Sequence, residues 1–112
     1  MHGGAGGIGS TAIQLGAALG LSVYTTAADA DACTYCESLG AHHAINFNTD
    51  DFVSILREAG GADIILDIIC GNYIARNIKA ARTAARMIRL AFNSGSRVEL
   101  SLMRVVLNRL RF

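Results

Sequence analysis

The amino-acid sequence predicts an α/β domain built on a doubly wound parallel sheet. A glycine-rich segment from Gly4 to Gly9, which reads GAGGIG, runs directly into a helical pattern, and segments typical of strands and helices then alternate to the end. The segment from Ala62 to Ile69 is almost continuously apolar, as is typical of a parallel strand covered on both faces. With 112 residues, of which 52% are hydrophobic, the chain has the length and composition of one domain with a core.

The first half of the chain is predicted to read helix, strand, helix, strand. Apolar residues at helical spacing and a terminal glycine define the helices, and β-branched or aromatic runs define the strands. The predicted elements are a helix with Ile8, Ala12, Leu15 and Leu19 on one buried face and a stop at Gly20, a strand over Leu21 to Thr26, a helix over Ala30 to Leu39 that Asp29 or Thr26 caps and Gly40 closes, and a strand over Ala44 to Phe47.

The second half continues the same alternation, with a polar loop before the last helix. The predicted elements are a helix over Asp50 to Ala59 capped by Thr49, a turn at Gly60 and Gly61, the strand over Ala62 to Ile69, a helix over Tyr73 to about Ala85, a strand over Met87 to Phe92, and a helix over Glu99 to Leu110 with Leu100, Met103, Leu107 and Leu110 in one stripe. The alanine-rich segment before Met87 favours a helix, so the strand there is expected to start late.

Composition excludes several classes of function. The net charge is +1 and no basic run lies beside aromatic residues, so nucleic acid is not an expected partner. No apolar run approaches the roughly 20 residues of a membrane span, and the start lacks the pattern of a signal peptide. Three cysteines without an export signal favour reduced thiols and a cytoplasmic location.

The glycine segment has the pattern G-x-G-x-x-G, which holds the pyrophosphate of a dinucleotide in Rossmann-type domains. We expect Gly4 to permit a tight turn, Gly6 to let the backbone approach the phosphates, and Gly9 to let helix and strand pack closely. The helix N-terminus would offer free N–H groups and a positive dipole end. Only three residues precede Gly4, so the sheet is expected to be truncated at its central first strand.

Several blocks together resemble the medium-chain dehydrogenase/reductase superfamily, and in particular its NADPH:quinone oxidoreductase (zeta-crystallin-like) branch. These blocks are HGGAGGIGSTAIQLGAALG, VYTTA, LGAHHAINF, DIILDIICGNYIARNIKA and AFNSGSRVELSLMRVVLNRL. The resemblance implies that residues 1–112 are one partial NAD(P)-binding domain, truncated after its last helix, with the substrate domain absent.

The resemblance also implies a role for particular residues. Gly6, Gly7 and Ile8 would meet the pyrophosphate, Thr26 and Ala27 would border the adenosine ribose, Phe47 would lie near the adenosine 2′-phosphate, and Cys70, Gly71, Ala91 and Phe92 would lie near the nicotinamide. Relatives carry a serine and a lysine around the positions of Asp29 and Ala32, where they hold the 2′-phosphate. The family therefore favours NADPH, whereas Asp29 and Ala32 favour NADH or weaker binding of both; Asp29 as a plain helix cap is the alternative.

The implied activity is hydride transfer from NAD(P)H to a small-molecule quinone or enone. The cofactor carries most of this chemistry, so no catalytic acid or base is assigned. The alternatives are a non-catalytic nucleotide-binding remnant, or part of a zinc-type alcohol dehydrogenase or an enoyl-thioester reductase. The resemblance is also compatible with a homodimer.

Cys33 and Cys36, followed by His42 and His43, could form a zinc site or a redox pair. Two small residues on one helical face, followed by two loop histidines, are the favoured interpretation, and no metal ligand is assigned.

Overall fold

The computed structural model describes all 112 residues, which form two compact units, Met1–Phe52 and Val53–Phe112. Helices and strands alternate along most of the chain, and every strand pair is parallel. The elements in order are α1 (Gly7–Ala18), β1 (Tyr24–Ala27), α2 (Ala30–Ser38), β2 (His43–Asn46), α3 (Phe52–Glu58), β3 (Ala62–Asp67), α4 (Tyr73–Ala80), β4 (Ala81–Arg89) and α5 (Met103–Leu107).

Each unit holds one two-stranded parallel sheet, β1 with β2 in the first and β3 with β4 in the second. These are the pairs that flank the first strand on either side in the order 3-2-1-4-5-6. The predicted α/β fold with parallel strands is therefore confirmed. No helix has the length and apolar character needed to cross a membrane.

The residues before the glycine segment bond to β1 in the pattern of a neighbouring parallel strand. The Met1 amino group donates to the Tyr24 carbonyl at 2.8 Å, and the Thr26 N–H donates to the Met1 carbonyl at 3.2 Å. The Gly4 N–H then donates to the Thr26 carbonyl at 3.0 Å. Although too short to count as a strand, this segment fixes the start of the glycine loop against β1.

The predicted buried face of α1 is wrong. Ile8, Leu15 and Leu19 are exposed, and the buried residues of the helix are Gly9, Ile13 and Gly16. The helix uses its glycines to approach its neighbours closely, since a Cβ at Gly16 would lie only 2.7 Å from the Val23 side chain. The core of the first unit includes a cluster of Ile13, Ala27, Cys36, Ala41 and Ala44.

In the second unit, the boundary between α4 and β4 differs from the prediction. The helix ends at Ala80 rather than near Ala85, and β4 begins at Ala81 rather than at Met87. Ala81 pairs with Ala62 of β3, so sheet pairing overrides the helix propensity of the alanines. The register then shifts, and Ala84 takes a positive φ of 64° inside the irregular stretch.

Three further predictions need correction. The helix expected over residues 99–110 is shorter and spans Met103–Leu107. It ends early because Leu110 packs against the buried core of the second unit and Arg111 forms backbone hydrogen bonds with β4. α3 begins at Phe52, and the hydroxyl of Thr49 donates to the Asn46 carbonyl rather than capping the helix.

The strand β3 ends at Asp67 and is not buried on both faces. Ile65 lies in the core of the second unit, whereas Ile64, which points to the opposite face, is 49% exposed.

Candidate cofactor-binding site

The glycine loop turns at Gly3, and Gly4 serves a different purpose from the predicted one. Gly3 has a φ of 68°, and its carbonyl accepts the Gly6 N–H at 3.2 Å. Gly4 is buried without a positive φ, so it is not the residue that permits the turn. A Cβ at Gly4 would collide with the hydroxyl oxygen of Thr25 and lie 2.9 Å from the sulfur of Cys36. Gly4 is therefore required for close packing beneath the loop.

The other glycines of the motif divide into a packed position and open positions. A Cβ at Gly9 would collide with the Gly3 carbonyl oxygen and lie 2.7 Å from the Gly4 Cα. In contrast, a Cβ at Gly7 would meet nothing within 4 Å, and one at Gly6 would meet only the Gly3 carbonyl oxygen, at 3.5 Å. Gly9 thus supports the packing of α1 on the loop rather than on a strand as predicted, while Gly6 and Gly7 leave the backbone open to an approaching ligand.

The first turn of α1 offers backbone donors with no acceptor in the chain. The first helical hydrogen bond runs from the Ser10 N–H to the Gly6 carbonyl at 2.8 Å, which leaves the N–H groups of Gly7, Ile8 and Gly9 unbonded. Gly6 provides no capping side chain, and both Gly7 and Ile8 are exposed. Free N–H groups together with the positive end of the helix dipole can bind an anionic group such as a pyrophosphate.

The Thr26 side chain holds the loop rather than facing solvent. Its hydroxyl lies 3.1 Å from His2 Nδ1 and accepts the Gly3 N–H at 3.3 Å, and the residue is buried. The buried His2 ring packs edge-on against Phe52, with 4.7 Å between ring centroids. The sequence analysis missed His2, and a histidine immediately before a glycine motif is the only local signal for it.

The loops after β1 and β2 lie side by side. The Phe47 N–H donates to the Ala27 carbonyl at 3.1 Å, and the Asn48 side chain donates to the Ala28 carbonyl at 2.7 Å. Phe47 is 40% exposed. Both loops follow the carboxyl ends of parallel strands, where ligands bind in open α/β sheets. The structure therefore brings Ala27, Phe47 and the start of α2 together within the first unit.

Asp29 caps the N-terminus of α2, which agrees with the predicted alternative that it acts as a helix cap. Its Oδ1 accepts the Ala32 N–H at 2.8 Å, and the residue is exposed. No lysine or arginine occurs anywhere in the first unit, so no basic side chain of either type in this unit offsets the Asp29 charge.

In the second unit, the predicted nicotinamide residues lie on two adjoining loops. The loop after β3 and the loop after β4 are joined by hydrogen bonds from the Ser94 N–H to the Ile69 carbonyl at 2.8 Å and from the Gly71 N–H to the Gly95 carbonyl at 3.1 Å. Cys70 is fully buried, and Phe92, on the second loop, is 56% exposed. Ala91 precedes Phe92 and is half-buried.

The buried carboxylate of Asp67 organises the first of these loops. Asp67 Oδ1 accepts the N–H groups of Ile69 and Cys70 at 2.8 and 3.1 Å, and Oδ2 accepts the Asn77 side-chain amide at 2.9 Å. Both Asp67 and Asn77 are buried. Asp67 therefore fixes the positive-φ turn at Cys70 and Gly71.

We expect Asp67→Ala to lower the free energy of unfolding by about 3 kcal/mol, because it removes a buried acceptor of three hydrogen bonds. Asp63→Ala is the matched control on the same strand. Asp63 is exposed and pairs only with Arg82, at 3.3 Å, so its loss should cost under about 1 kcal/mol. Urea unfolding of both variants measures the difference. Equal losses would mean that Asp67 does not organise the loop.

The cysteines are not arranged as a metal site or a reactive pair. No group of three or more His, Cys, Asp or Glu side chains could hold a metal ion. Cys36 lies in the core, and His42 and His43 lie against the ring of Tyr24. Burial raises the pKa of the thiol in both Cys33 and Cys36, and neighbouring Glu37 raises it further, so both stay protonated at neutral pH. The residues of this chain do not fit a zinc ion.

Burial likewise raises the pKa of the Cys70 thiol, with a further contribution from Asp67 that Arg89 partly offsets. Cys70 is thus a neutral core residue at the base of its loop.

Comparison with known proteins gives the chain a family. The sequence pattern described as zinc-binding dehydrogenase matches residues 7–112. The chain is 29% identical over 85 residues to a 2-haloacrylate reductase of a Burkholderia species, covering 73% of this chain and 26% of that protein. It is 30% identical over 93 residues to bovine (Bos taurus) prostaglandin reductase-3, covering 81% of this chain and 25% of that protein.

The fold agrees with this assignment. The Escherichia coli quinone oxidoreductase, whose crystal structure is a complex with NADPH, superimposes with a TM-score of 0.87 at 24% identity over 98% of this chain and 35% of that one. The chain therefore spans about a quarter to a third of the proteins that it resembles. It belongs to the zinc-binding dehydrogenase family, within the medium-chain dehydrogenase/reductase superfamily of oxidoreductases.

Proposed function

We propose that this chain is the cofactor-binding part of an NAD(P)H-dependent reductase of the quinone reductase type. The observation that carries the proposal is the exposed N-terminus of α1, where Gly7 and Ile8 offer N–H groups without acceptors. The loops after β1 and β2, which lie side by side in the same unit, supply the surface that an adenosine would need.

In this proposal, the first unit binds and orients the adenosine and pyrophosphate half of the cofactor. The N–H groups of Gly7 and Ile8 hold the pyrophosphate, Gly6 allows its close approach, and Ala27 and Phe47 border the adenosine. His2 and Thr26 act as positioning residues because they fix the loop. When bound, the dinucleotide supplies a hydride. Cys70, Gly71, Ala91 and Phe92 stay predictions for the nicotinamide half.

The names of the relatives support a choice of acceptor class. Their names specify a haloacrylate, a prostaglandin and a quinone, and haloacrylates and quinones are conjugated, electron-poor acceptors of a hydride. We propose a small quinone or enone as the acceptor.

Asp29 decides the preferred cofactor. Its carboxylate repels a 2′-phosphate, whereas it can accept a hydrogen bond from a free ribose hydroxyl. We expect NADH to bind at least as tightly as NADPH. In Asp29→Ser, which retains a good helix cap, the ratio of NADPH to NADH affinity should rise about tenfold. Titration of the full chain, followed by cofactor fluorescence, measures both dissociation constants.

Asp31→Ser is the matched control, since Asp31 is an exposed carboxylate in the first turn of the same helix but caps nothing. It should change the affinity ratio less than Asp29→Ser does. Tight and selective NADPH binding by the unaltered chain would contradict the assigned role of Asp29. Binding of neither cofactor would contradict the proposed function itself.

A nucleotide-binding module without turnover is the second candidate. It is favoured by the absence of any lysine or arginine in the unit that holds the glycine loop, which weakens the attraction for phosphate. Oxidation of NADH by a benzoquinone at a rate above that without the chain would support the reductase and contradict a module without turnover.

A further inference from the structure

The small net charge of the chain conceals two oppositely charged units. All ten lysine and arginine residues lie within Val53–Phe112 together with four carboxylates, giving this unit a formal charge of +6. Met1–Phe52 holds five carboxylates and no lysine or arginine, giving a formal charge of −5. A charge count over the whole chain averages this division away. The second unit therefore has the electrostatic character of an anion binder.

Four of these cations converge on one cavity of about 350 Å³. Its lining includes no carboxylate, and part of its wall is glycine backbone at Gly60 and Gly61. The volume is within the range of small-molecule sites. The cations that line it are Arg57, Lys79, Arg82 and Arg104.

Backbone carbonyls orient two of the guanidinium groups without neutralising them. Arg57 Nη1 donates to the Lys79 carbonyl at 3.2 Å, and Arg82 Nε donates to the Gly60 carbonyl at 3.1 Å. The carboxylate of Asp63 pairs with Arg82, 3.3 Å from its Nη1, and both side chains are more than half exposed. An exposed pair of this kind is weak, so most of the positive charge stays available to a ligand.

Helix dipoles account for only part of the cluster. Arg57 and Lys79 lie in the last turns of α3 and α4, where a cation is favourable in any protein. Arg104 likewise lies in the last turn of α5, whereas Arg82 lies on β4, where no helix C-terminus explains its position. Their convergence with the first two cations indicates a site for a group of at least two negative charges.

The cavity is separate from the loops assigned to the cofactor in this unit. Gly60, Gly61 and Ala81 adjoin the amino ends of β3 and β4, whereas Cys70 and Phe92 follow their carboxyl ends. Six residues of β3 place these two ends roughly 17 Å apart. We propose that the cavity binds the phosphate group of a small phosphorylated ligand. Arginine forks suit the tetrahedral oxygens of phosphate, and Lys79 adds a point charge.

Inorganic phosphate is the probe, titrated into the full chain at constant ionic strength with chloride as the reference anion. The Gly7→Asp variant serves as background, because it places a negative charge at the α1 N-terminus and so blocks phosphate there. We expect saturable shifts of the Gly60 and Gly61 amide resonances with phosphate and none with chloride. Arg57→Gln and Arg104→Gln should each weaken phosphate binding at least about fivefold.

Arg97→Gln and Arg86→Gln are controls, since both arginines are exposed in the same unit but outside the cavity. Each should change phosphate affinity less than about twofold. The proposal fails if the glycine amides do not shift below about 20 mM phosphate, a concentration well above a millimolar dissociation constant. It also fails if the control variants weaken binding as much as Arg57→Gln, because that result describes a diffuse basic surface suited to a nucleic acid.

Discussion

Gly9→Ala should lower the free energy of unfolding by about 3 kcal/mol or more, whereas Gly7→Ala should leave it nearly unchanged. The added methyl group at Gly9 would meet the backbone of Gly3 and Gly4, which hydrogen bonds from the first residues fix against β1. A fixed backbone cannot move aside as a side-chain end can. At Gly7 the same methyl group enters open space, and alanine is the better helix former. Urea unfolding monitored by circular dichroism compares the two.

Gly16→Ala provides an intermediate case between Gly9→Ala and Gly7→Ala. Its Cβ would lie 2.7 Å from the Val23 Cγ2 atom, which belongs to a side chain that can shift. We expect Gly16→Ala to lower the free energy of unfolding by an amount between those of the other two variants. All three substitutions replace glycine with alanine in α1. If Gly9→Ala and Gly7→Ala were equally stable, the close packing of α1 on the glycine loop would be refuted.

The glycine motif shows how far local pattern carries a prediction. The spacing of Gly4, Gly6 and Gly9 predicts a helix start with free donors, and the structure has both. The structural role of Gly4 was not predictable. Only glycine fits at this position because Thr25 and Cys36, which are distant in sequence, pack against it. The same limit applied to His2, whose partner Thr26 lies 24 residues away, and to the contact of Asp67 with Asn77, which lies 10 residues away.

The wrong predictions have two physical causes. Hydrophobic periodicity weighs apolar side chains and ignores glycine, so it selected the exposed face of Leu15 and Leu19 over the close-packed face of Gly9 and Gly16. Helix propensity weighs each residue without its partners, so it extended α4 beyond Ala80, where pairing with β3 decides the conformation. The parallel pairings of β1 with β2 and of β3 with β4 confirm the parallel strands expected from the alternation of elements.

Gly7→Asp should weaken binding of NADH about 100-fold without loss of stability. A carboxylate at the first residue of α1 interacts favourably with the helix dipole, and the Gly7 position has room for a side chain. The same charge would lie within a few ångströms of the proposed pyrophosphate. Repulsion between two unit charges 4 Å apart costs about 1 kcal/mol in water and about 4 kcal/mol near a protein surface. A 100-fold loss of affinity corresponds to about 2.7 kcal/mol, which lies within this range.

Gly7→Asn separates charge from bulk, because asparagine has nearly the shape of aspartate without its charge. We expect Gly7→Asn to weaken NADH binding less than about fivefold, and urea unfolding to give similar stabilities for both variants. High salt should narrow the gap between them, since screening weakens the repulsion at this exposed site. Equal affinities of Gly7→Asp and Gly7→Asn would place the pyrophosphate elsewhere, because no anion could lie against the Gly7 and Ile8 N–H groups without sensing that charge.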